Sequence, residues 1–230
     1  MRRIADHDEG ASDGAAALAL EGIVKSWNGQ PVLTDLDARI DPGVVVAILG
    51  ANGAGKTTLL RIAAGLILPE QGRVSAYGLD PERRRGEFQR RIGFLSAGNT
   101  GLYARLKAEH HLELCARLAL MPKRRQRDSI ARAVERFGLT DLRGRRVDRL
   151  SMGQRQRLRL ALAFLHEPSL ILLDEPATSL DEEGIVTLQG AIDDVKAAGG
   201  SAVVCLPSGW GEVLATDRRY RLDGGRLEPA

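Results

Sequence analysis

The feature that most constrains this chain is an unbroken apolar segment followed directly by a glycine-rich loop. Residues 44–49 are apolar at every position, which is typical of a strand buried on both faces of a parallel sheet. The loop that follows reads Gly50-Ala51-Asn52-Gly53-Ala54-Gly55-Lys56-Thr57-Thr58. Its glycines let successive backbone N–H groups curl around one anion, and a helix that begins here adds its positive end. The pattern predicts a phosphate-binding loop between a buried strand and a helix over residues 59–66.

Two side chains of this loop have the chemistry that a nucleoside triphosphate needs. Lys56 is a point charge suited to bridging the β- and γ-phosphates, and Thr57 offers a hydroxyl ligand for Mg²⁺. We therefore expect a nucleoside triphosphate and Mg²⁺ as ligands, with Lys56 also acting in catalysis and the whole loop in contact with the nucleotide. The alternative is a glycine-rich turn that only caps a helix, and the buried strand before it argues against that.

A second apolar segment, residues 170–173, ends in two adjacent carboxylates, Asp174 and Glu175. A buried parallel strand delivers such residues to the carboxyl edge of its sheet, where the phosphate loop also lies. Neighbouring residues face opposite ways, so the two carboxylates take different roles. We predict Asp174 as a Mg²⁺ ligand and Glu175 as the base that orients the water attacking ATP.

The remaining patterns predict an α/β fold with a mainly parallel core sheet. The β-prone residues 20–25 and 32–40 flank the turn signal Asn28-Gly29, which predicts an antiparallel β subdomain. A third buried strand is expected at residues 202–206, and an amphipathic helix over residues 183–198 precedes it. This β-α-β order places helices over a parallel sheet.

The chain divides into a short tail and one domain. Residues 1–17 lack periodicity and are predicted to be a flexible tail, so the domain covers residues 18–230. From about residue 98 to 167 the pattern is helical and rich in arginine, which predicts a helical lobe inserted into the α/β core. No apolar segment approaches the roughly 18 residues of a membrane span, so we expect none.

The arginines gather in three runs, residues 83–91, 123–127 and 143–149, and the isoelectric point is about 9.1. Two interpretations stay open: solvated helix faces, or a surface for phospholipid head groups or an acidic partner. Nucleic acid is not an expected partner, because the chain has only 4 Phe, 2 Trp and 3 Tyr with which to stack bases.

The segment Leu150-Ser151-Met152-Gly153-Gln154, in which Ser151 precedes Asp174 by 23 residues, completes a recognisable set. With it, residues 18–227 resemble the nucleotide-binding domains of ATP-binding cassette (ABC) proteins, a P-loop NTPase fold, although Met152 stands where a second glycine is common. The resemblance implies that Ser151, Gly153 and Gln154 reach the γ-phosphate held by a second cassette. It also implies a separate transmembrane subunit and a place on the cytoplasmic face of the cell membrane.

Three less specific matches follow from the same resemblance. Trp27 stands where relatives often stack an aromatic ring on adenine, and a core tryptophan is the less favoured alternative. Residues 177–181 are similar to a loop that contacts the opposite subunit. Residues 100–106 are similar to the start of the helical lobe in exporter-type relatives, where the lobe receives a cytoplasmic helix of the membrane subunit.

Two residues expected from the resemblance are missing. The family usually places a histidine near the γ-phosphate after the strand at residues 203–206, whereas Ser208 is the best-aligned residue here. A hydroxyl can hydrogen-bond a phosphate oxygen but carries no charge. Ala97 stands where a glutamine would touch Mg²⁺ and the attacking water. We therefore hypothesise tight ATP binding with slow hydrolysis, either in a homodimer or beside a different, more active cassette.

Two other function classes remain open. One is a cassette ATPase that acts on DNA or ribosomes rather than in transport. The other is a regulatory nucleotide sensor that dimerises on ATP without useful turnover. The transported substrate cannot be deduced from these residues.

Overall fold

The computed structural model describes residues 14–98 and 100–230 of the protein. Nine strands lie within this part of the chain: β1 (Leu18–Trp27), β2 (Gln30–Ile40), β3 (Val45–Gly50), β4 (Gln71–Ser75), β5 (Ile92–Leu95), β6 (Leu170–Asp174), β7 (Ser201–Pro207), β8 (Arg218–Asp223) and β9 (Arg226–Pro229). Six α-helices accompany them: α1 (Lys56–Ala63), α2 (Arg85–Arg91), α3 (Ala108–Leu118), α4 (Lys123–Arg136), α5 (Met152–Phe164) and α6 (Glu182–Ala197).

The larger sheet has six strands in the order β5-β6-β7-β3-β8-β9. Every neighbouring pair is parallel except the final β8-β9 hairpin. In this register Gly50 lies beside Pro207, and Asp174 beside Cys205, so β3, β6 and β7 end together at one edge. The predicted α/β class with a mainly parallel core is confirmed.

The smaller sheet is antiparallel, in the order β2-β1-β4. Its hairpin turns at Asn28-Gly29, where Trp27 pairs with Gln30 and both turn residues have positive φ angles of 51° and 75°. A two-residue turn of this hand needs two such residues, which is why Asn-Gly signals it. The predicted hairpin is confirmed, and β4 completes the sheet.

Two hydrophobic clusters cover the two faces of the parallel sheet. Along β3, Val45 and Ala47 join the cluster beneath α3, α5 and α6, whereas Val46 and Ile48 join the cluster shared with α1 and the antiparallel sheet. Both faces of the strand are therefore buried, as its continuous apolar sequence requires. Polar side chains can therefore be placed only at the ends of the central strands.

Some predicted boundaries were displaced. The helix after the phosphate loop covers Lys56–Ala63 rather than residues 59–66, because the loop itself caps the helix and Gly65, at φ 64°, ends it. Residues 1–13 of the predicted tail lie outside the described part. Ala16 and Ala17 are buried, and the carbonyl of Ala16 accepts a hydrogen bond from Tyr77 N, so packing begins before residue 18.

Between β5 and β6 the chain forms α3, α4 and α5, with no strand in the described residues of this segment. Arg136 of α4 forms an ion pair with Asp194 of α6, which joins the helical segment to the core, and Arg132 pairs with Glu167 within the segment. Within the described residues, no helix combines the length and apolar character that crossing a membrane requires.

Candidate functional site

The glycine-rich loop joins β3 to α1 in a conformation that glycine makes possible. Gly55, at φ 102°, is the N-cap of α1, and no side chain caps the helix there. A Cβ atom at Gly55 would lie 2.9 Å from Cγ1 of Val32, closer than van der Waals contact allows. The first-turn N–H groups of α1 therefore have no capping side chain, and a helix start in that state favours an anion.

Lys56 is the buried cation of this loop, with 5% of its surface exposed. Its Nζ donates to the carbonyl oxygens of Gly50 at 2.7 Å and Ala51 at 3.0 Å. No carboxylate of the described residues forms an ion pair with it. The ammonium group has a third donor and an unneutralised charge, both of which suit a phosphate group.

The Thr57 hydroxyl donates a 2.6 Å hydrogen bond to Oδ2 of Asp174. Asp174 is 1% exposed, and its other oxygen, Oδ1, is buried without a hydrogen-bond partner. An unpartnered buried carboxylate oxygen is costly unless a cation or ordered water satisfies it. The hydroxyl and the carboxylate are the hard oxygen ligands that Mg²⁺ prefers, so the residues fit the predicted metal site.

Glu175 follows β6 in the left-handed region, at φ 50°, and its N–H donates to the carbonyl of Cys205 at 2.9 Å. A non-glycine residue held in this region is strained, and such strain is common at functional sites. Glu175 lines a cavity of about 390 Å³. The other lining residues are Trp27 and Val32 of the antiparallel sheet region and, from the phosphate loop, Asn52, Gly53, Gly55, Lys56, Thr57 and Thr58. The structure thus brings the predicted base and the predicted phosphate loop to one cavity.

Trp27 lies at the rim of this cavity, and its side chain is not in the core. The residue is 47% exposed, and its Nε1 donates to Oγ1 of Thr58 at 3.3 Å. The ammonium of Lys25 lies 4.9 Å from the ring centroid. The interpretation as a core tryptophan is therefore wrong, and the indole has exposed surface beside the phosphate loop.

Ser151 and Gln154 form a capping box at the start of α5. The Ser151 hydroxyl accepts from Gln154 N at 3.2 Å, and Oε1 of Gln154 accepts from Ser151 N at 3.0 Å. A Cβ at Gly153 would lie 3.1 Å from the carbonyl of Ser179, so this turn packs against the loop that follows Glu175. Neither Ser151 nor its neighbours line the cavity of their own phosphate loop.

Ser208 and Ala97, the two residues that differ from the family pattern, lie at the same edge of the sheet. Ser208 directly follows Pro207 at the end of β7, which pairs with Gly50, and it is exposed. Ala97 is two residues past the end of β5 and is half-buried. Neither residue lines the cavity beside Lys56 and Glu175.

Sequence reasoning missed a buried polar pair on α5, Gln156 and Arg159, which are 5% and 6% exposed. Burial lowers the pKa of the Arg159 guanidinium from its ordinary value. The sequence signal was Arg159, which lies between Leu158 and Leu160 at the start of an apolar stretch. A helix surface with apolar residues on both sides of an arginine is not typical of a solvated face. The pair contacts two loops near the site, the one after β5 at Ser96 and Thr100 and the one after β6 at Pro176.

Comparison with protein families matches residues 33–178 to the ABC transporter family. Among curated relatives, the ABC transporter ATP-binding protein NatA of Bacillus subtilis is 43% identical over 147 residues, which is 64% of this chain and 60% of that protein. The daunorubicin resistance ATP-binding protein DrrA3 of Streptomyces coeruleorubidus is 35% identical over 213 residues, 92% of this chain and 66% of that protein. The matches thus span less than two thirds of the length of these two relatives.

Among solved structures, a dimeric, post-hydrolysis state of an ATP-binding cassette bound to ADP and Pi superimposes with a TM-score of 0.80. That superposition covers 92% of this chain and 96% of the other at 24% identity, so it shows the shared fold. The matched residues include the phosphate loop, Ser151 and the Asp174-Glu175 pair. On these grounds the chain belongs to the ABC transporter family.

Proposed function

We propose that this chain binds and hydrolyses ATP to power a separate transmembrane subunit of an ABC transporter. The observation that carries the proposal is the convergence of Lys56, the Thr57–Asp174 pair and Glu175 beside one open cavity. The unneutralised ammonium of Lys56 and the unpartnered Oδ1 of Asp174 both lie in this region. A triphosphate with a divalent cation satisfies both.

Binding is assigned to the loop and the rim of the cavity. Backbone N–H groups of the phosphate loop and the Lys56 ammonium hold the phosphates, and the exposed indole of Trp27 stacks on the adenine. Thr57 and Asp174 would hold Mg²⁺, which when bound neutralises phosphate charge. Asp174 Oδ1 would thereby gain the partner that it lacks.

Hydrolysis is assigned to Glu175, whose carboxylate orients and deprotonates the attacking water. The strained backbone of Glu175 and its hydrogen bond to Cys205 O fix the position of the Cα atom from which the carboxylate side chain extends. Ser208 contributes a neutral hydrogen bond in place of the usual charged histidine, and Ala97 contributes none. Loss of one such group typically lowers a rate by about 10²- to 10⁴-fold, so turnover is slow.

A second cassette completes the site. Ser151, Gly153 and Gln154 lie outside the cavity of their own chain, at a helix start that favours an anion. Their assigned ligand is the γ-phosphate held by the partner cassette, which is either a second copy or a different subunit. The dimeric state named for the structural neighbour supports this arrangement.

The membrane partner is assigned to the helical segment, and the chain to the cytoplasmic face of the cell membrane. Tyr103, Leu118 and Leu120 of this segment are 67%, 71% and 74% exposed, so they offer apolar surface to a partner. We assign to these side chains the contact with a cytoplasmic helix of the transmembrane subunit.

The experiment is calorimetric titration of the purified chain with ATP, with and without Mg²⁺, followed by an ATPase assay. Wild-type protein should bind Mg·ATP, and Glu175→Gln should bind it equally but not hydrolyse it, with the exposed Glu183→Gln as the control. Absence of Mg²⁺-dependent ATP binding would refute the proposal. Recovery of a multi-span protein with the chain from mildly solubilised membranes would support transport, and ATP-bound dimers without such a partner would instead support the nucleotide sensor.

A further inference from the structure

Arg159 is a buried cation without a buried anion. Every acceptor that it contacts in the described residues is neutral, and no carboxylate there pairs with it. Burying an unpaired guanidinium is expensive, and an apolar residue would be expected to pack more favourably between Leu158 and Leu160. Stability alone therefore does not account for an arginine at this position.

The guanidinium holds the loop that follows β5 at two points. Its Nη2 donates to the carbonyl of Ser96 and, at 3.3 Å, to the Ser96 hydroxyl, and its Nε donates to the carbonyl of Thr100 at 3.1 Å. These residues flank Ala97, whose methyl group offers no hydrogen bond of its own. The conformation of this loop thus depends on a side chain that belongs to α5.

The same guanidinium fixes the orientation of Gln156. Its Nη1 donates to Oε1 of Gln156 at 2.8 Å, and because arginine can only donate, the amide oxygen must face Arg159. The amide NH₂ is then left to donate to the carbonyl of Pro176 at 2.7 Å, in a fully buried contact. Both hydrogen bonds of Gln156 are therefore set by one neighbour.

Pro176 directly follows Glu175, so this chain of contacts reaches the proposed base. Cys205 O holds the N–H of Glu175, and Gln156 holds the carbonyl of the next residue. The strained φ of Glu175 is thus held from both sides. A shift of α5 or of the loop after β5 would be transmitted to the Glu175 carboxylate.

We propose that Arg159 is a positioning residue for ATP hydrolysis, acting through Gln156 to hold Glu175 and the loop after β5 in one fixed relation. The inference rests on the proposed hydrolysis at Glu175. It assigns to α5 a link between the helical segment, where a membrane subunit would dock, and the hydrolytic base. Arg159 itself touches no reacting atom.

The first test compares Arg159→Met with Arg157→Met, a matched loss of arginine two residues away on the same helix. For Arg159→Met we expect a roughly 10- to 100-fold lower kcat, as a misplaced catalytic group produces, with the Kd for Mg·ATP changed less than about threefold. Arg159→Lys should recover part of kcat, and Arg157→Met should retain it. Wild-type kcat in folded Arg159→Met would overturn the proposal.

Gln156→Glu separates positioning from stability. A glutamate supplies the carboxylate that Arg159 lacks, which offsets the loss of the buried hydrogen bond to Pro176 O, so the variant should resist urea better than Arg159→Met. It cannot donate to Pro176 O when ionised, so kcat should fall as in Arg159→Met. A stable and fully active Gln156→Glu protein would refute the positioning role, and this variant decides the matter if Arg159→Met does not fold.

Amide hydrogen exchange provides a readout that does not need turnover. In Arg159→Met and Gln156→Glu, exchange at residues 177–180 should become faster although Arg159 touches none of them, and Arg157→Met should match wild type. Unchanged exchange at these residues would overturn the inference. If wild type binds ATP but does not hydrolyse it, the hydrolytic function fails, while exchange still tests whether the link exists.

Discussion

The Thr57 hydroxyl and Oδ2 of Asp174 lie 2.6 Å apart, although the two residues are separated by 117 positions in the chain. Each comes from the end of a buried apolar strand or the helix after it, and parallel strands bring these ends to one edge. The contact leaves Oδ1 of Asp174 facing no protein donor. The pair is therefore stabilised only in part by the protein itself, and this has a measurable consequence.

Asp174→Asn should lose function and gain stability. The amide removes a buried charge with an unpartnered oxygen, so the free energy of unfolding without ligand should rise by about 1–3 kcal/mol. Mg²⁺-dependent enhancement of ATP binding should be lost, because a carboxylate ligand is gone. Urea unfolding and calorimetry with and without Mg²⁺ measure the two effects, with the exposed Asp193→Asn as control. An unchanged Mg²⁺ dependence would exclude Asp174 as a metal ligand.

The central strands and the phosphate loop were predictable because their signals are local. An apolar run such as residues 44–49 must be buried on both faces, and the glycines after it permit few conformations. The β8–β9 hairpin was not predicted, although it turns at Gly224 and Gly225 with positive φ angles. Its strand β8 has mostly exposed residues and lacks an apolar pattern.

The Arg159 network was not predictable for a different reason. Two of its acceptors are main-chain carbonyls 59 and 63 positions away, and a carbonyl carries no sequence signal. Only the arginine itself stands out. The burial of Ala16 and Ala17 was likewise not predictable, because small residues without periodicity do not indicate that the N–H of Tyr77 donates to Ala16 O.

Gly55→Ala and Gly190→Ala should shift stability in opposite directions. Gly55 has φ 102° and its Cβ would lie 2.9 Å from Val32, so alanine there should destabilise by at least about 1–3 kcal/mol. Gly190 is exposed within α6, with nothing within 4 Å of a new Cβ, so alanine should stabilise by about 0.5–1 kcal/mol. Urea unfolding of both variants measures the pair. Equal effects would show that the loop does not require glycine at residue 55.

Folding stability should decrease in mild acid because of His166. Burial lowers the pKa of its imidazole from the ordinary value of 6.5, against a smaller raising effect of the hydrogen bond to Ile92 O. As the pH falls through 6.5, the unfolded chain takes up a proton before the folded chain does. The free energy of unfolding therefore falls until the lower, folded-state pKa is passed, and His166→Gln should reduce this dependence. Urea unfolding between pH 5 and 8 tests it, with the exposed His110→Gln expected to follow wild type.

Ser208→His should accelerate hydrolysis if the missing charge at this position limits turnover. Ser208 is exposed and follows Pro207, which pairs with Gly50 at the edge that carries Lys56, so a larger side chain at residue 208 can be accommodated there. A histidine can donate to a phosphate oxygen and carry positive charge, which serine cannot. We expect kcat to rise by roughly 10²-fold, the usual contribution of one general acid–base group to a rate, with little change in the Kd for Mg·ATP.

Ser208→Asn, which donates a hydrogen bond without carrying a charge, is the control and should leave kcat near wild type. An equal increase in both variants would assign the effect to hydrogen bonding alone, and no increase in either would show that slow turnover has another cause, with Ala97→Gln as the next variant to measure.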